Sequence, residues 1–177
     1  MAVQIGAKPD SGFDDPLGML KDCHRRIERF VQLLCRVVEL AADRALTAEE
    51  RDTVKAALRY FREGGVRHNA DEEESLFPRM RAACGDAAMR DLDALEGEHA
   101  LAGELHTKVD ELYCKWIATG TLHQAEQLQL LTTTAKLKRL YTKHIQVEET
   151  TVLPQAAQIL DRAELAAAGA EFKARRQ

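Results

Sequence analysis

Two short stretches of this sequence place a histidine and glutamates at the same spacing. Residues 68–78 read HNADEEESLFP and residues 144–154 read HIQVEETTVLP, an offset of 76 positions. In each, three residues separate a histidine from Glu-Glu, and two apolar residues and a proline follow. Imidazole together with carboxylate suits divalent cations such as iron, manganese and zinc. The alternative is a core histidine that is satisfied by a neighbouring glutamate.

Each copy of this pattern is preceded by a single histidine. His24 lies 44 residues before His68, and His99 lies 45 residues before His144. The repeating unit is therefore a single histidine, a long connection and then His-x3-Glu-Glu. Chance can place one His-x3-Glu in any acidic protein, but two copies with matching upstream histidines are much harder to obtain. The repeat therefore favours a metal site over isolated core histidines.

Helical periodicity indicates how these residues are positioned. Four long segments have apolar residues at steps of three and four, and each carries one of the four histidines on its apolar face. They run from about Pro16 to Ala42, from Thr47 onward, from about Asp86 to Ala118 and from about Thr121 to Leu153. Four amphipathic helices with short connections predict an all-α, up-down-up-down four-helix bundle.

The chain divides into three parts on this basis. We expect a flexible N-terminus at 1–15, the bundle at 16–154 and a C-terminal helical extension at 155–177. Asp161 and Glu164 form a capping-box pattern that opens a short helix within the extension. The repeat makes the bundle two helical hairpins related by a pseudo-twofold axis.

The spacing within a helix decides which glutamate faces inward. A helix turns ~100° per residue, so position i+4 returns to within about 40° of the start. Glu72 therefore shares the face of His68, and Glu148 shares the face of His144, whereas the second glutamate of each pair points away. An inward carboxylate is costly unless it is paired or bound to a metal. Two divalent ions among four imidazoles and two carboxylates would remove that cost.

Composition excludes several other classes of function. At 177 residues the chain is one ordinary domain, and its formal charge of −4 does not favour nucleic acid as a partner. No apolar stretch approaches the ~20 residues needed to cross a bilayer, so no membrane partner is expected. Residues 1–15 lack the basic and apolar regions of a secretory signal. Four cysteines without a C-x2-C pair are typical of reduced cytoplasmic thiols: Cys23, Cys35, Cys84 and Cys114.

With these motifs, roughly residues 17–154 resemble the hemerythrin-like HHE cation-binding family. The resemblance implies a four-helix bundle around a non-haem di-iron centre. Its cofactors would be two iron ions, as Fe2+ or Fe3+ and with an oxo bridge as one option, while zinc or manganese are alternatives. Carried over by position, His24 and His68 would serve one iron, His99 and His144 the other, and Glu72 and Glu148 would bridge them.

Two positions depart from the oxygen-carrying hemerythrins. Those proteins have a fifth histidine where this chain has Gly103, and their last carboxylate ligand corresponds to Glu149, although helical geometry favours Glu148. The four-histidine, two-glutamate set resembles instead di-iron proteins linked to iron–sulfur cluster repair and nitric oxide stress. Those proteins carry an additional N-terminal cysteine-bearing domain, which we do not expect here. Reversible oxygen carriage is therefore not the function that the sequence favours.

The resemblance predicts a cytoplasmic di-iron protein that binds O2, NO or peroxide in sensing, stress response or iron handling. Slow turnover as an oxidase or reductase is left open. Gly103 and Gly64-Gly65 would leave room for a small ligand, or would mark close helix packing. The alternatives are a structural or regulatory metal-binding module, with zinc for example, that recruits a protein partner, and a metal-free helical adaptor. The sequence identifies no protein partner.

Overall fold

Helices account for almost all of the chain that the computed structural model describes, which is residues 10–41, 44–84 and 86–177, with only the backbone for 86–89. The α-helices are α1 (Pro16–Leu40), α2 (Ala48–Tyr60), α3 (Val66–Asp71), α4 (Phe77–Cys84), α5 (Asp86–Thr119), α6 (Gln124–Val147), α7 (Leu153–Ile159) and α8 (Arg162–Ala174). Three π-helical turns join some of them, at Phe61–Gly65, Glu72–Leu76 and Glu148–Val152.

These elements form four long helical rods and one short helix. The first rod is α1, the second is α2 to α4, the third is α5 and the fourth is α6 with α7. The α6 helix packs against both α1 and α5, and α1 also packs against α2. The predicted all-α four-helix bundle is confirmed. No helix in the described part of the chain has both the length and the apolar character that crossing a bilayer requires.

Local sequence signals set several helix ends. Thr47 and Glu50 form a capping box at the start of α2, and Asp161 and Glu164 form the predicted one at the start of α8. Each pair satisfies two backbone N–H groups that have no partner within the helix. The α5 helix is followed by Gly120, whose positive φ of 79° is accessible to glycine at little cost.

The two rods that contain the repeat continue past their prolines. Pro78 and Pro154 are each the second residue of a new α-helix that follows a π-helical turn. In a regular helix the proline ring would clash with the carbonyl of residue i−4, and proline has no N–H to donate. The wider π turn accommodates both defects. The second rod therefore extends to Cys84, and the fourth extends to Ile159 instead of ending near Leu153 as the sequence indicated.

The core consists of two apolar clusters with a polar layer between them. In α1, Leu20 belongs to one cluster, Ile27 belongs to the other, and His24 lies between them in sequence. In every rod a histidine lies between residues of the two clusters, so a polar layer crosses the bundle. The Leu-Phe and Val-Leu pairs that precede the prolines all lie in the Leu20 cluster: Leu76, Phe77, Val152 and Leu153. This cluster closes one side of the polar layer with apolar bulk.

The C-terminal helix is packed onto the Leu20 cluster. Phe172 and Ala168 of α8 are fully buried within it. Gly169 lies so close to residues 10–15 that a Cβ there would overlap the carbonyl oxygen of Phe13. The predicted flexible N-terminus therefore contacts α8 at Phe13, and its first nine residues lie outside the described range.

Two ion-pair groups attach α8 to the second rod. Arg175 and Arg176, which follow α8, contact the buried carboxylate of Asp71 at 3.1 and 2.5 Å. Arg79 forms two hydrogen bonds with Glu171, at 2.7 and 3.0 Å. Asp71 directly precedes the inward-facing Glu72, so the C-terminal residues support the polar layer from outside.

Candidate metal centre

The four rods bring the six predicted side chains together in the polar layer. They are His24 on α1, His68 on α3, Glu72 at the start of the second π turn, His99 on α5, His144 on α6 and Glu148 at the start of the third π turn. None is more than 5% exposed. π turns inside long helices are often found at functional sites.

The nitrogen and oxygen atoms of these side chains form two groups that share both carboxylates. Within each group all potential ligand atoms lie within 4.8 Å of one another. One group consists of His24, His68, Glu72 and Glu148, and the other consists of Glu72, His99, His144 and Glu148. Two imidazoles and two carboxylates therefore surround each of two neighbouring positions.

Each shared carboxylate directs one oxygen toward each position. Oε1 of Glu72 lies 3.6 Å from His68 Nε2, and its Oε2 lies 3.3 Å from His99 Nε2. Oε2 of Glu148 lies 2.9 Å from His24 Nε2, and its Oε1 lies 3.2 Å from His144 Nε2. This is the arrangement that two bridging carboxylates need.

Unsatisfied polar atoms test whether metal ions fit this layer. All four carboxylate oxygens of Glu72 and Glu148, and Nε2 of His24, are buried without a hydrogen-bond partner among the described atoms. Nε2 of His24 is 2.9 Å from a Glu148 oxygen, so the pair is close but wrongly angled for a hydrogen bond. Buried polar atoms are rarely left without partners. Cations that accept lone pairs from both groups would satisfy them.

The spacing of two imidazole rings also fits a bound cation. Nε2 of His99 and Nε2 of His144 are 3.0 Å apart. Two nitrogens that bind one ion at about 2.1 Å and at a right angle to each other would be separated by about 3.0 Å. The residues present therefore fit a divalent metal ion.

The ionisation of the layer also favours cation binding. Burial alone would lower the pKa of His24, but Glu148 and Glu72 outweigh it and raise the pKa to about 11. His99 shows the same balance, because Glu72 and Glu73 overcome burial and raise its pKa to about 9. Burial would raise the pKa of Glu72, yet the surrounding histidines hold it well below its usual range. Without a metal, protons on the rings neutralise the carboxylates, and a metal ion would displace them.

Three of the four histidines are held from outside the layer by a glutamate. Their Nδ1 atoms are hydrogen-bonded in the pairs His24–Glu149 at 2.9 Å, His99–Glu73 at 2.7 Å and His144–Glu98 at 2.9 Å. A carboxylate on Nδ1 fixes that nitrogen as the donor and leaves Nε2 free to bind a metal. It also orients the ring and increases its basicity. We name Glu73, Glu98 and Glu149 the outer glutamates.

The outer glutamates were not predicted from the sequence. Spacing along a single helix points Glu73 and Glu149 away from the site, and both are indeed about a third exposed, at 38% and 36%. Each nevertheless reaches a histidine in the other half of the repeat. The signal that could have revealed them is the second glutamate in both copies of Glu-Glu. The structure places Glu148 in the polar layer and Glu149 outside it.

His68 is the exception among the four histidines. Its Nδ1 has no hydrogen-bond partner among the described atoms, and the thiol of Cys23 lies against the ring. Burial would raise the pKa of Cys23, but His68 and Arg26 outweigh it and lower the pKa. Cys23 precedes His24 just as Glu98 precedes His99. The two halves of the repeat therefore differ at this position, with a thiol in one and a carboxylate in the other.

An apolar cavity of about 310 Å³ lies beside the layer, between the second, third and fourth rods. Gly65, Gly103, His106 and Tyr141 are among the residues that line it. Burial lowers the pKa of His106 to about 4, so the ring is neutral, and its Nε2 is hydrogen-bonded with the Tyr141 hydroxyl at 2.9 Å. Tyr141 in turn has its ring 6.4 Å from that of His144. A Cβ at Gly103 would meet no atom within 4 Å, so this glycine keeps the cavity open.

Comparison with known proteins agrees with this geometry. A family model described as the hemerythrin HHE cation-binding domain matches residues 15–156, a range that contains all six side chains of the layer. The chain is also similar to an uncharacterized protein of Haemophilus influenzae. The two are 24% identical over 141 residues, which cover 77% of this chain and 76% of the relative. The family match confirms the resemblance seen in the sequence.

Proposed function

Because this chain belongs to the hemerythrin HHE cation-binding family, we propose that it holds two iron ions in its polar layer and binds a small ligand there. The ligand would be O2, NO or peroxide, and the role would be sensing, stress response or iron handling. The observation that carries this proposal is the sharing of Glu72 and Glu148 by two groups of four ligand atoms.

The donor set supports iron over a structural zinc ion. Each position has two imidazoles and two carboxylates and, among the described residues, no cysteine. Structural zinc sites are usually closed, four-coordinate and rich in cysteine. Imidazole with carboxylate suits iron, and a non-haem iron with few protein ligands keeps positions open for a small molecule. Iron bound here would supply one-electron chemistry between Fe2+ and Fe3+ and an affinity for small diatomic ligands.

The protein's own residues would prepare the site in three ways. The shared carboxylates fix the separation of the two positions, and the outer glutamates direct Nε2 of three histidines toward them. The apolar clusters on both sides exclude water and strengthen electrostatic interactions within the layer. The cavity lined by Gly65 and Gly103 provides space for a small apolar molecule next to the layer.

Anaerobic loading with Fe2+ tests the proposal. Elemental analysis should find two iron ions per chain, and azide or NO should change the optical or paramagnetic spectrum of the loaded protein. Glu72→Ala and Glu148→Ala should each lower the metal content, whereas Glu104→Ala on the exposed face of α5 should not. One ion or none per chain would contradict the dinuclear site.

A loaded protein that shows no response to either ligand would support the alternative. That alternative is a structural or regulatory metal module, with zinc for example, that recruits a protein partner. A cytoplasmic location is part of our proposal, and the free thiols of all four cysteines are consistent with it.

A further inference from the structure

A second cavity, of about 440 Å³, lies between α1, the second rod and the C-terminal residues. The charged residues that line it are four arginines and one glutamate: Arg26, Arg59, Arg67, Arg176 and Glu63. We name it the arginine cavity. It contains a local excess of positive charge in a chain whose formal charge is −4. The overall charge of the protein therefore does not account for this cluster.

The carboxylates near these arginines do not neutralise them fully. Arg67 reaches Glu63 only at 4.0 Å, and Glu63 is 58% exposed. Arg59 has no ion pair with any carboxylate in the described part of the chain. Arg26 pairs with Asp10, which is 67% exposed, and ion pairs so open to water are weak. An anion that bound Arg26, Arg59 or Arg67 would compete only with these exposed carboxylates.

The fourth arginine is fixed in place by the fold. Arg176 contacts the buried Asp71 at 2.5 Å and also donates a hydrogen bond to the carbonyl of Phe172 at 2.7 Å. These contacts hold the guanidinium at the edge of the cavity without requiring a ligand. A pre-positioned guanidinium loses less conformational entropy when it binds an anion.

We propose that the arginine cavity binds the phosphate group of a small organic phosphate. The planar guanidinium groups of arginine match the geometry of phosphate oxygens, and several of them around one site suit a dianion better than a single carboxylate. Part of the remaining wall is aromatic, because Phe30 and Tyr60 line it with their ring centroids 4.8 Å apart. This wall would accommodate the organic part of the ligand. The volume of the cavity exceeds what phosphate alone would fill.

The cavity is also connected to the polar layer. Cys23 lines it, accepts a hydrogen bond from Arg26 at 3.3 Å and lies against the ring of His68. An anion that draws Arg26 toward itself would change the surroundings of the one histidine without an outer glutamate. Binding of a phosphate ligand would thus alter the environment of His68 in the polar layer. The binding itself does not depend on which metal is present.

Isothermal titration calorimetry of the full, metal-loaded chain with phenyl phosphate tests this proposal. At low salt we expect one saturable site per chain, with weaker binding of benzenesulfonate, which has a similar ring but one negative charge. Arg59→Gln and Arg67→Gln should each weaken binding about tenfold, because each removes a charged hydrogen-bond donor. Arg36→Gln, at an exposed position of α1 outside the cavity, is the matched control and should leave binding unchanged.

Three results would overturn the proposal. The first is the absence of saturable binding to the wild-type protein. The second is equal weakening by Arg36→Gln, which would show that only general charge matters. The third is binding that survives both Arg59→Gln and Arg67→Gln but disappears in metal-free protein, since phosphate would then be a ligand of the metal. Metal content and circular dichroism of each variant establish that it is folded and loaded, so failure here is separate from failure of the di-iron proposal.

Discussion

Replacing Glu149 by glutamine should weaken metal binding at the position served by His24 and His68. Glu149 belongs to the second copy of the repeat, whereas these two histidines belong to the first. Glu149 follows the shared Glu148 but is hydrogen-bonded to Nδ1 of His24, at 2.9 Å. The position served by His24 and His68 should therefore lose affinity, and the other position should be little affected. Glu73→Gln should have the reciprocal effect, because Glu73 is hydrogen-bonded to His99 at 2.7 Å.

The expected magnitude follows from the exposure of these two carboxylates. Loss of a carboxylate behind a metal-binding histidine typically costs about 10- to 100-fold in metal affinity. Glu149 and Glu73 are 36% and 38% exposed, so water can partly replace the lost hydrogen bond. We therefore expect the lower end of the range, about tenfold, which corresponds to about 1.4 kcal/mol.

Competition with a chelator provides the assay. Zinc-loaded protein is diamagnetic, so histidine ring signals in NMR spectra would show which position loses its ion first. Glu74→Gln is the matched control, because Glu74 adjoins Glu73 but is bonded to Arg175 and not to a histidine. Equal affinities for Glu149→Gln and the control would refute the role of the outer glutamates. If the Glu149→Gln variant instead lost the ion near His99 first, the assignment of Glu149 to His24 in the other half of the repeat would be refuted.

Four further changes have defined outcomes. Cys23→Asp, which places a carboxylate near the unpartnered histidine, should reduce the difference in chelator sensitivity between the two ions, and an unchanged difference would contradict this. In metal-free protein, the stabilisation from His24 and His99 is fully present below about pH 6.5, the pKa in an unfolded chain. It should be lost as the pH rises through about 9 for His99 and about 11 for His24, because neighbouring glutamates raise their pKa values, so the melting temperature should fall over this range. Asp71→Asn should lower the free energy of unfolding by about 2–3 kcal/mol in denaturant titrations, since two partly exposed arginines lose their buried carboxylate. Gly103→His should slow the reaction with NO in stopped-flow experiments without lowering metal content, because the new ring would enter the apolar cavity; an unchanged rate would exclude this cavity as the route.

The sequence predicted the bundle and the composition of the polar layer because both follow from periodicity within single helices. The i+4 relation between His68 and Glu72 holds because α3 is regular up to Asp71 and the π turn begins only at Glu72. Had the π turn begun one residue after the histidine, the angular argument would have favoured the wrong glutamate. The angular argument therefore agrees with the observed positions of Glu72 and Glu148, because the helix is regular between each histidine and its glutamate.

Contacts between different rods could not be predicted from periodicity. That Glu73 reaches His99 depends on which helices are neighbours and on their rotation, and periodicity along one helix contains neither. The continuation of the rods past Pro78 and Pro154 was also missed, since a π turn inserts a residue that no spacing rule anticipates. Asp71 and Arg176 are 105 positions apart, and nothing in the local sequence of either indicates the other.

The difference between Cys23 and Glu98 shows how a duplicated site acquires two unequal halves. Both residues precede the single histidine of their half, and each lies against the second histidine of the same half. Glu98 brings a negative charge to Nδ1 of His144, whereas Cys23 brings a thiol that also accepts a hydrogen bond from Arg26. A carboxylate increases the basicity of the ring behind it, while a thiol engaged by a guanidinium does so less. The ion near His68 should therefore be held less tightly, and the arginine cavity lies on that same side of the layer. The repeat provides two positions of similar shape, and this one exchange makes them chemically different.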